Sequence, residues 1–341
     1  VTGNLAVNGS AAEPRAATEV DDRVSVVIPC HSEKRWPLLV QAVASVQSQS
    51  PRPAEVVVVV DYNADLLARA RRDLTGVTVL ANRFARGVSG NRNTGAFHTT
   101  TPIVALLDDD ARARPGWLHN LLKPFGDPTV VGTGSTAVAN WELARPKWFP
   151  DELLWTVGGS FAEIPATAVP TRNVWAMAMA VRRTAFEAVG GFQVEFAKVG
   201  ERSRPEDTDL CLRMSRDSGG QWIYVPDAVV DHLVPRERAT MRYLMIRCYD
   251  EGRGKVCMGR RHRGAVDLDL EWVYLRRTMP RAVGRGLVDT LRGRGLGGAA
   301  RAGSVLSAFV AAALGGAVET MRLGRDYSQP TAGERIPAGS D

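Results

Sequence analysis

Four near-continuous apolar runs, VSVVI at 24–28, EVVVVV at 55–60, VTVL at 77–80 and IVALL at 103–107, recur within the first 107 residues. Runs without polar alternation belong to strands covered on both faces, which is the situation of a parallel sheet sandwiched between helices. Stretches of helical character lie between them at 36–49, 63–73 and 89–98. Strand and helix therefore alternate, and this predicts an α/β fold with a mainly parallel central sheet. The chain of 341 residues, 45% hydrophobic and 23% charged, can bury such a core and lacks the biases of collagen-like, disordered or disulfide-framework chains.

Ligands of open α/β sheets collect beyond the carboxyl ends of the strands. Polar residues follow every run: PCHSE at 29–33, then Asp61, Tyr62 and Asn63, then Asn82 and Arg83, and finally DDD at 108–110. Three consecutive carboxylates at a strand end repel one another unless a cation sits among them. Hard oxygen donors of this kind suit magnesium or manganese bound jointly with a diphosphate. An isolated Asp cluster would serve equally as a solvated turn; beside three other polar strand ends it points to a nucleotide.

The rest of the chain is less regular. Residues 138–175 are rich in Trp and Pro and predict a long loop with a short helix. AMAMAV (176–181) reads as a strand, RRTAFEAVGGF (182–192) as a helix closed by a glycine pair, and EDTDLCLRM (206–214) as a helix with acids in its first turn. WIYV (222–225) and AVVDH (228–232) read as a closing pair of short strands. Beyond 236 the chain is helical and basic to about Arg325: residues 236–341 hold 19 Lys and Arg against 11 Asp and Glu, which leaves the preceding residues slightly acidic. Such asymmetry suits an anionic membrane surface or a polyanion, and equally suits Arg-rich helix faces in water. GRG (252–254) and the Arg-rich 260–263 run fall in that second class unless a phosphate-bearing acceptor meets them. Nucleic acid is the weaker partner, because aromatic and basic residues are not interleaved there. Ala302–Val318 carries no charge but is shorter than the roughly 20 apolar residues of a spanning helix, so a buried or interfacial helix is expected. Cys30, Cys211, Cys248 and Cys257 form no C-x-x-C pair and predict reduced thiols. Residues 1–22 have no apolar h-region, so a frayed leader and a cytoplasmic protein, peripheral at the inner face of the plasma membrane, are expected.

VSVVIPCHSE (24–33), VVVVVD (56–61), RGVSGNRNTG (86–95), LLDDDARARPGWL (106–118), AVRRTAFEAVGGF (180–192) and EDTDLCLR (206–213) resemble, in order and spacing, the family 2 glycosyltransferases with a GT-A fold. RPKWFPDELLWTVGGSF (145–161) with HLVPRERATMRYLMIRCYDEG (232–252) is similar to a bacterial, largely actinobacterial subgroup of glucuronosyl and related sugar transferases. AMAMAVRR departs from that subgroup's usual segment, which bears on the acceptor side. The resemblance implies a Rossmann-like GT-A catalytic domain at 23–260, with a nucleotide-binding half (23–110) and an acceptor and catalytic half (111–260). A basic helical extension (261–325) and a polar tail (326–341) follow.

The resemblance also assigns roles. Pro29, His31 and Glu33 would pack and hydrogen-bond the base and ribose. Asp61 would accept a hydrogen bond from the base, an N-cap of the next helix being the alternative. Arg86 and Arg92 would meet the diphosphate, with Gly87 and Gly90 permitting close approach. Asp110 would be the metal contact, Asp108 or Asp109 would serve the ribose and base side, and His232 would be a third group at the metal or else a core histidine. Asp207 is the catalytic base, with Glu206 as the alternative and Asp209 as a first-turn acid. Trp148, Trp155 and Trp175 stack on the acceptor or simply pack. The implied reaction is an inverting, manganese- or magnesium-dependent transfer from a nucleotide diphosphate sugar, UDP favoured over GDP or dTDP, to a hydroxyl acceptor that is lipid-linked, a polysaccharide or a secondary metabolite. The tail would meet an anionic membrane or form a homodimer. A nucleotidyltransferase is the rival enzyme class, but PCHSEKR lacks its Gly-rich phosphate loop.

Overall fold

The computed structural model describes residues 23–161, 165, 167–194, 205–262, 274–292 and 296–326. The expected leader (1–22), the tail beyond 326 and the end of the 260–263 run lie outside the described residues. The four apolar runs form β1 (Val24–Cys30), β2 (Glu55–Val60), β3 (Thr78–Ala81) and β4 (Ile103–Leu107), parallel in the order β3-β2-β1-β4. Period-2 alternation sends Val24, Val26 and Ile28 to one face, against Leu39 and Ala42 of α1 (Trp36–Gln47) and Leu66 of α2 (Ala64–Asp73). Val27, Val57 and Val59 face the other way, against Ala96 of α3 (Val88–His98) and Phe186 of α5 (Arg183–Ala188); α4 (Trp117–Leu122) belongs to the first face. Both faces are buried, and this is why the runs show no polar alternation.

α3 carries VSGNRNTGAFH, a polar sequence, yet Ser89 through Ala96 are buried. Two features reconcile this. Gly95 lets the helix backbone lie against the sheet, because a Cβ there would collide with Val27. The Asn93 amide is also fully paired, exchanging two 2.8 Å bonds with the Phe192 backbone, and Asn91 Nδ2 donates to the Cys30 carbonyl at 3.1 Å while its Oδ1 has no partner among the described residues.

The sheet continues beyond β4 through β8 (Ala178–Arg182), β6 (Val130–Trp141), β9 (Gln221–Val234) and β5 (Ala111–Ala113), in that order, and becomes mixed. β8 is antiparallel to β4 and β6, while β6 and β9 run parallel. β7 (Val169–Thr171) and β5 add antiparallel to β9. Two expectations change here. The pair of short strands at 222–225 and 228–232 is one strand, whose pairing with β6 shifts register between Ser135 and Thr136, opposite the stretch that holds Pro226 and Asp227. A proline without an N–H interrupts the ladder there without ending the strand. The expected loop at 138–175 likewise begins as the end of β6, and its short helix is the 3₁₀ segment Asp151–Val157.

The basic C-terminal third forms α7 (Met241–Arg261), a π turn at Tyr274–Thr278, α8 (Met279–Leu291) and α9 (Gly297–Asp326). A third core holds them to the sheet through Phe149, Leu153, Leu244, Cys248 and Val305. Gly252 of α7 meets Ala312, and Gly315 of α9 meets Tyr249, so close that neither has room for a Cβ. GRG is therefore an interhelical contact rather than a solvated face, and Arg253 within it pairs with the buried Glu319 at 2.8 Å. Cys30, Cys211 and Cys248 are buried free thiols, pushed by burial above the usual thiol range.

Asp209 of α6 (Glu206–Ser218) is completely buried and joins α6 to the end of α7. Its carboxylate meets Arg213 at 2.8 Å, Arg261 at 3.2 Å and His262 at 3.2 Å. Removing one partner of a buried ion pair strands the others, so Asp209→Ala should cost about 3–5 kcal/mol in a urea titration. A variant of wild-type stability would show that the cluster holds nothing.

Candidate active site

The carboxyl ends of β1, β2 and β4 open with α3, α6, β9 and α7 onto one cavity of ≈ 680 Å³. Pro29 and His31 line it from the end of β1, and Asp61 from the end of β2. Asp61 is buried and fixes the loop after β3: one carboxylate oxygen accepts from Asn82 Nδ2 at 2.7 Å, the other from the Gly87 amide at 3.0 Å. Gly87 sits at φ 127°, where a side chain would be strained. Asp61 does not cap α2; Asn63 does, accepting from the Leu66 amide at 3.0 Å. Glu33 is exposed and off the cavity, whereas Arg35 one helical step later lines it.

Arg86 stands exposed at the cavity wall with its guanidinium 6.0 Å from the Tyr62 ring centroid. Arg92 is 3% exposed and already committed: Nη2 donates to Asp108 at 2.7 Å and Nη1 lies 3.4 Å from Glu206. Its guanidinium thus bridges the acidic end of β4 and the first residue of α6. Arg35 Nη1 similarly lies 2.8 Å from Asp109 and 3.1 Å from Asp110. Burial, and Asp110 alongside, push the Asp109 carboxyl up to about 7 against the pull of Arg35. Burial works on Asp110 too, but His232 and Arg35 outweigh it and hold that carboxyl well below the usual range.

The β5–β9 ladder sets Ala111 opposite His232, which brings His232 Nε2 to 3.5 Å from Asp110. Gly158, at φ 79°, makes room for this ring; a Cβ there would stand 2.6 Å from His232 Cε1. Five buried atoms have no hydrogen-bond partner among the described residues: Ser89 Oγ, Asn91 Oδ1 and Arg92 Nε on α3 and, at the acidic wall, Asp109 Oδ2 and His232 Nδ1. The last two, a carboxylate oxygen with an imidazole nitrogen, suit manganese better than magnesium, whose ligands are oxygen. No three such side chains among the described residues already form a ligating cluster.

Across the cavity, Glu206 and Asp207 open α6, while Asp209 points away into its own cluster. Burial raises the Asp207 carboxyl above its ordinary value, although the Thr208 amide (2.7 Å) and Arg92 pull the other way. Trp155 and Trp175 line the cavity; Trp148 does not, packing instead on Phe149 with its carbonyl bound by Ser304. Sequence reading missed Arg35 and a stripe on α7, Tyr243, Arg247, Glu251 and Lys255, together with Arg238 before it. The four-residue spacing of that stripe was the available signal. Burial would raise Glu251, but Lys255 and Arg247 more than offset it and hold it low. Arg247 also lies over the Trp155 ring at 5.6 Å.

Residues 25–190 match the family described as "Glycosyl transferase family 2". The "Glucosyl-dolichyl phosphate glucuronosyltransferase" of Haloferax volcanii is 30% identical over 241 residues, which is 69% of this chain and 77% of that protein. This chain is a family 2 glycosyltransferase. The "Pre-mycofactocin glycosyltransferase" of Mycobacterium tuberculosis is 32% identical over 235 residues, 67% of this glycosyltransferase but 46% of that protein. Among solved structures, the mannosyltransferase PcManGT from Pyrobaculum calidifontis, in complex with GDP-Man and Mn2+, shares 19% identity at a TM-score of 0.51 and covers 90% of this chain and 81% of its own. That likeness is one of fold, and the fold is GT-A.

Because Arg92 compensates two carboxylates at once, its replacement by Met should strand Asp108 and Glu206 and cost about 3–5 kcal/mol by chemical denaturation. Arg92→Lys should recover only part, since an ammonium cannot serve two carboxylates as a planar fork does. Full recovery by Lys would refute the bridging role.

Proposed function

We propose that this glycosyltransferase moves a sugar from a nucleotide diphosphate sugar to an acceptor hydroxyl with inversion, using Asp207 as general base. The observation that carries the reading is a two-sided cavity: Asp108–Asp110 form one wall, Glu206 and Asp207 stand across it, and Arg92 ties the two walls together. Inverting transfer needs a base on the face of the sugar opposite the departing nucleotide, which removes the acceptor proton as its oxygen attacks. Asp207 suits this better than Glu206. Glu206 is ion-paired to Arg92, whereas burial gives Asp207 a raised proton affinity.

His31 and Asp61 would take the nucleoside. Both Asp61 oxygens already accept one bond, and each keeps a second lone pair for a base N–H. UDP is the first carrier to test, with GDP and dTDP as alternatives. Asp110 and His232 would hold manganese or magnesium, which supplies positive charge against the negative charge gathering on the leaving diphosphate; the Pyrobaculum calidifontis neighbour was solved with Mn2+. On the acceptor side, Trp155 and Trp175 offer faces for a sugar ring. Arg238, Arg247 and Lys255 outnumber Glu251 there, which suits an acceptor carrying a phosphate. The substrate named for the Haloferax volcanii relative, a glucosyl-dolichyl phosphate, has that chemistry.

Asp207→Asn should lower kcat by roughly 10²–10⁴-fold while calorimetry with UDP shows unchanged affinity; an unaltered rate would move the base to Glu206. A base works only when ionised, so activity should be present at neutral pH and fall with acid. Since burial raises Asp207, the acid limb of kcat/KM should lie above the ordinary carboxylate value of about 3.9. An acid limb at or below that value would contradict the assignment. Asp110→Ala should bind UDP equally with and without manganese, in contrast to the wild type.

A further inference from the structure

α9 has two unlike faces. The inner one is packed: Ala302, Val305 and Ala308 are buried, Gly315 meets Tyr249, and Glu319 is spent on Arg253. The outer one is open and apolar. Leu306, Phe309, Val310, Leu314, Val318 and Met321 are each between 41% and 59% exposed. Their spacing keeps them on one side of the helix over about 22 Å. The other outward positions from 303 to 320 are Gly, Ser, Ala and Thr, so no charge interrupts the row. The end of α8 extends it with Leu287, Val288 and Leu291, and Leu296 follows; Leu291 and Leu296 are 87% and 82% exposed. An exposed apolar row of this length marks a face that something covers.

The border of this face is cationic. Residues 274–326 contain nine arginines against Asp289, Glu319 and Asp326. Arg277, Arg281 and Arg292 are exposed along and beside α8, and Arg322 is exposed at the far end of the row. Asp289 is paired with Arg301, and Glu319 with Arg253 and, at 3.9 Å, with Arg322, while Arg285 is paired with Glu152; the border charge therefore rests chiefly on Arg277, Arg281 and Arg292. A two-fold contact between copies of the chain would bring this basic border against itself. Anionic headgroups around a hydrocarbon interior complement both parts of it.

We propose that α8 and α9 form a monotopic docking face for an anionic lipid bilayer, with the apolar row at the acyl boundary and the arginines among the phosphates. The helix lies on the bilayer rather than crossing it, because its inner face is fixed to α7 by the glycine contacts and the buried Glu319–Arg253 pair. The proposal goes beyond the transfer reaction and gives it a direction. α7 shows α9 one side, through Tyr249, Gly252 and Arg253, and shows the cavity the other, through Tyr243, Arg247, Glu251 and Lys255. Two helices, α9 and α7, thus stand between the bilayer and the acceptor site, a thickness of about 20 Å.

The test is sedimentation of the full chain with phosphatidylcholine vesicles, with and without phosphatidylglycerol. Protein should sediment with the anionic vesicles and stay largely free of the neutral ones. Phe309→Asp combined with Leu314→Asp should weaken partitioning by roughly a hundredfold. Arg281→Gln combined with Arg292→Gln should weaken it by roughly tenfold or more on anionic vesicles. All four side chains lie outside the cavity, so both variants should keep the wild-type melting temperature and UDP affinity, which separates this outcome from failure of the donor site. Wild-type protein that ignores anionic vesicles, or variants that bind them as well as wild type, would overturn the proposal. A dimer in analytical ultracentrifugation that Phe309→Asp with Leu314→Asp makes monomeric, without vesicle binding, would assign the face to a second copy.

Discussion

The buried guanidinium of Arg92 is the interaction on which the rest of the site depends. A charge taken out of water must be matched by opposite charge at short range. Arg92 finds that match in Asp108, from the end of β4, and in Glu206, from the start of α6. One side chain therefore sets the distance between the two acidic walls of the cavity. It reaches this position because α3 is a buried helix whose Asn93 and Thr94 are hydrogen-bonded and whose Gly95 lets it lie against the sheet. The unusual composition of α3 and the geometry of the site have the same cause.

The other wall rests on a comparable device. Asp209 lies two residues beyond Asp207 but faces the opposite way, where Arg213, Arg261 and His262 anchor it. Since α6 is rigid, a fixed Asp209 fixes the helix start that presents Glu206 and Asp207. The C-terminal helices are thereby part of the active site in two senses: the end of α7 holds α6, and the middle of α7 lines the cavity. Their basic character divides among these duties, with Arg253, Arg261 and Arg285 neutralising buried acids, Arg247 in the cavity and Arg281 of α8 facing outward.

Much of the frame was legible in the chain. Parallel strands covered on both faces require unbroken apolar runs, so β1 to β4 could be located closely, and the polar residues at their ends marked one rim of the cavity. Pro29, His31, Asp61, Arg86, Arg92 and Asp108–Asp110 do line that rim. Glu33 and Trp148 do not, and Arg35 takes the inward place near Glu33. The 3₁₀ turn at Glu33–Arg35 decides which of these neighbours faces inward, and such turns leave no periodic trace in a sequence. β6 and the unbroken β9 escaped for a related reason. Their glycines and Pro226 look like breakers, and only pairing across the sheet, with Gly132 packed on Trp222, makes them strand residues.

What the sequence determined alone is therefore what depends on local pattern: the α/β class, the strand ends that carry carboxylates, and the acidic start of α6. The tertiary structure decided which members of each cluster share a space. Register across β5 and β9 brought His232 to Asp110, although 121 residues separate them. Helix rotation sent Asp209 away from the cavity that Asp207 lines. Packing against α7 turned an uncharged stretch into a helix with one buried and one open face. These are choices between positions one to four residues apart, and a chain's local preferences are too weak to make them. They are settled by burial and charge pairing between segments that meet only when the sheet is assembled.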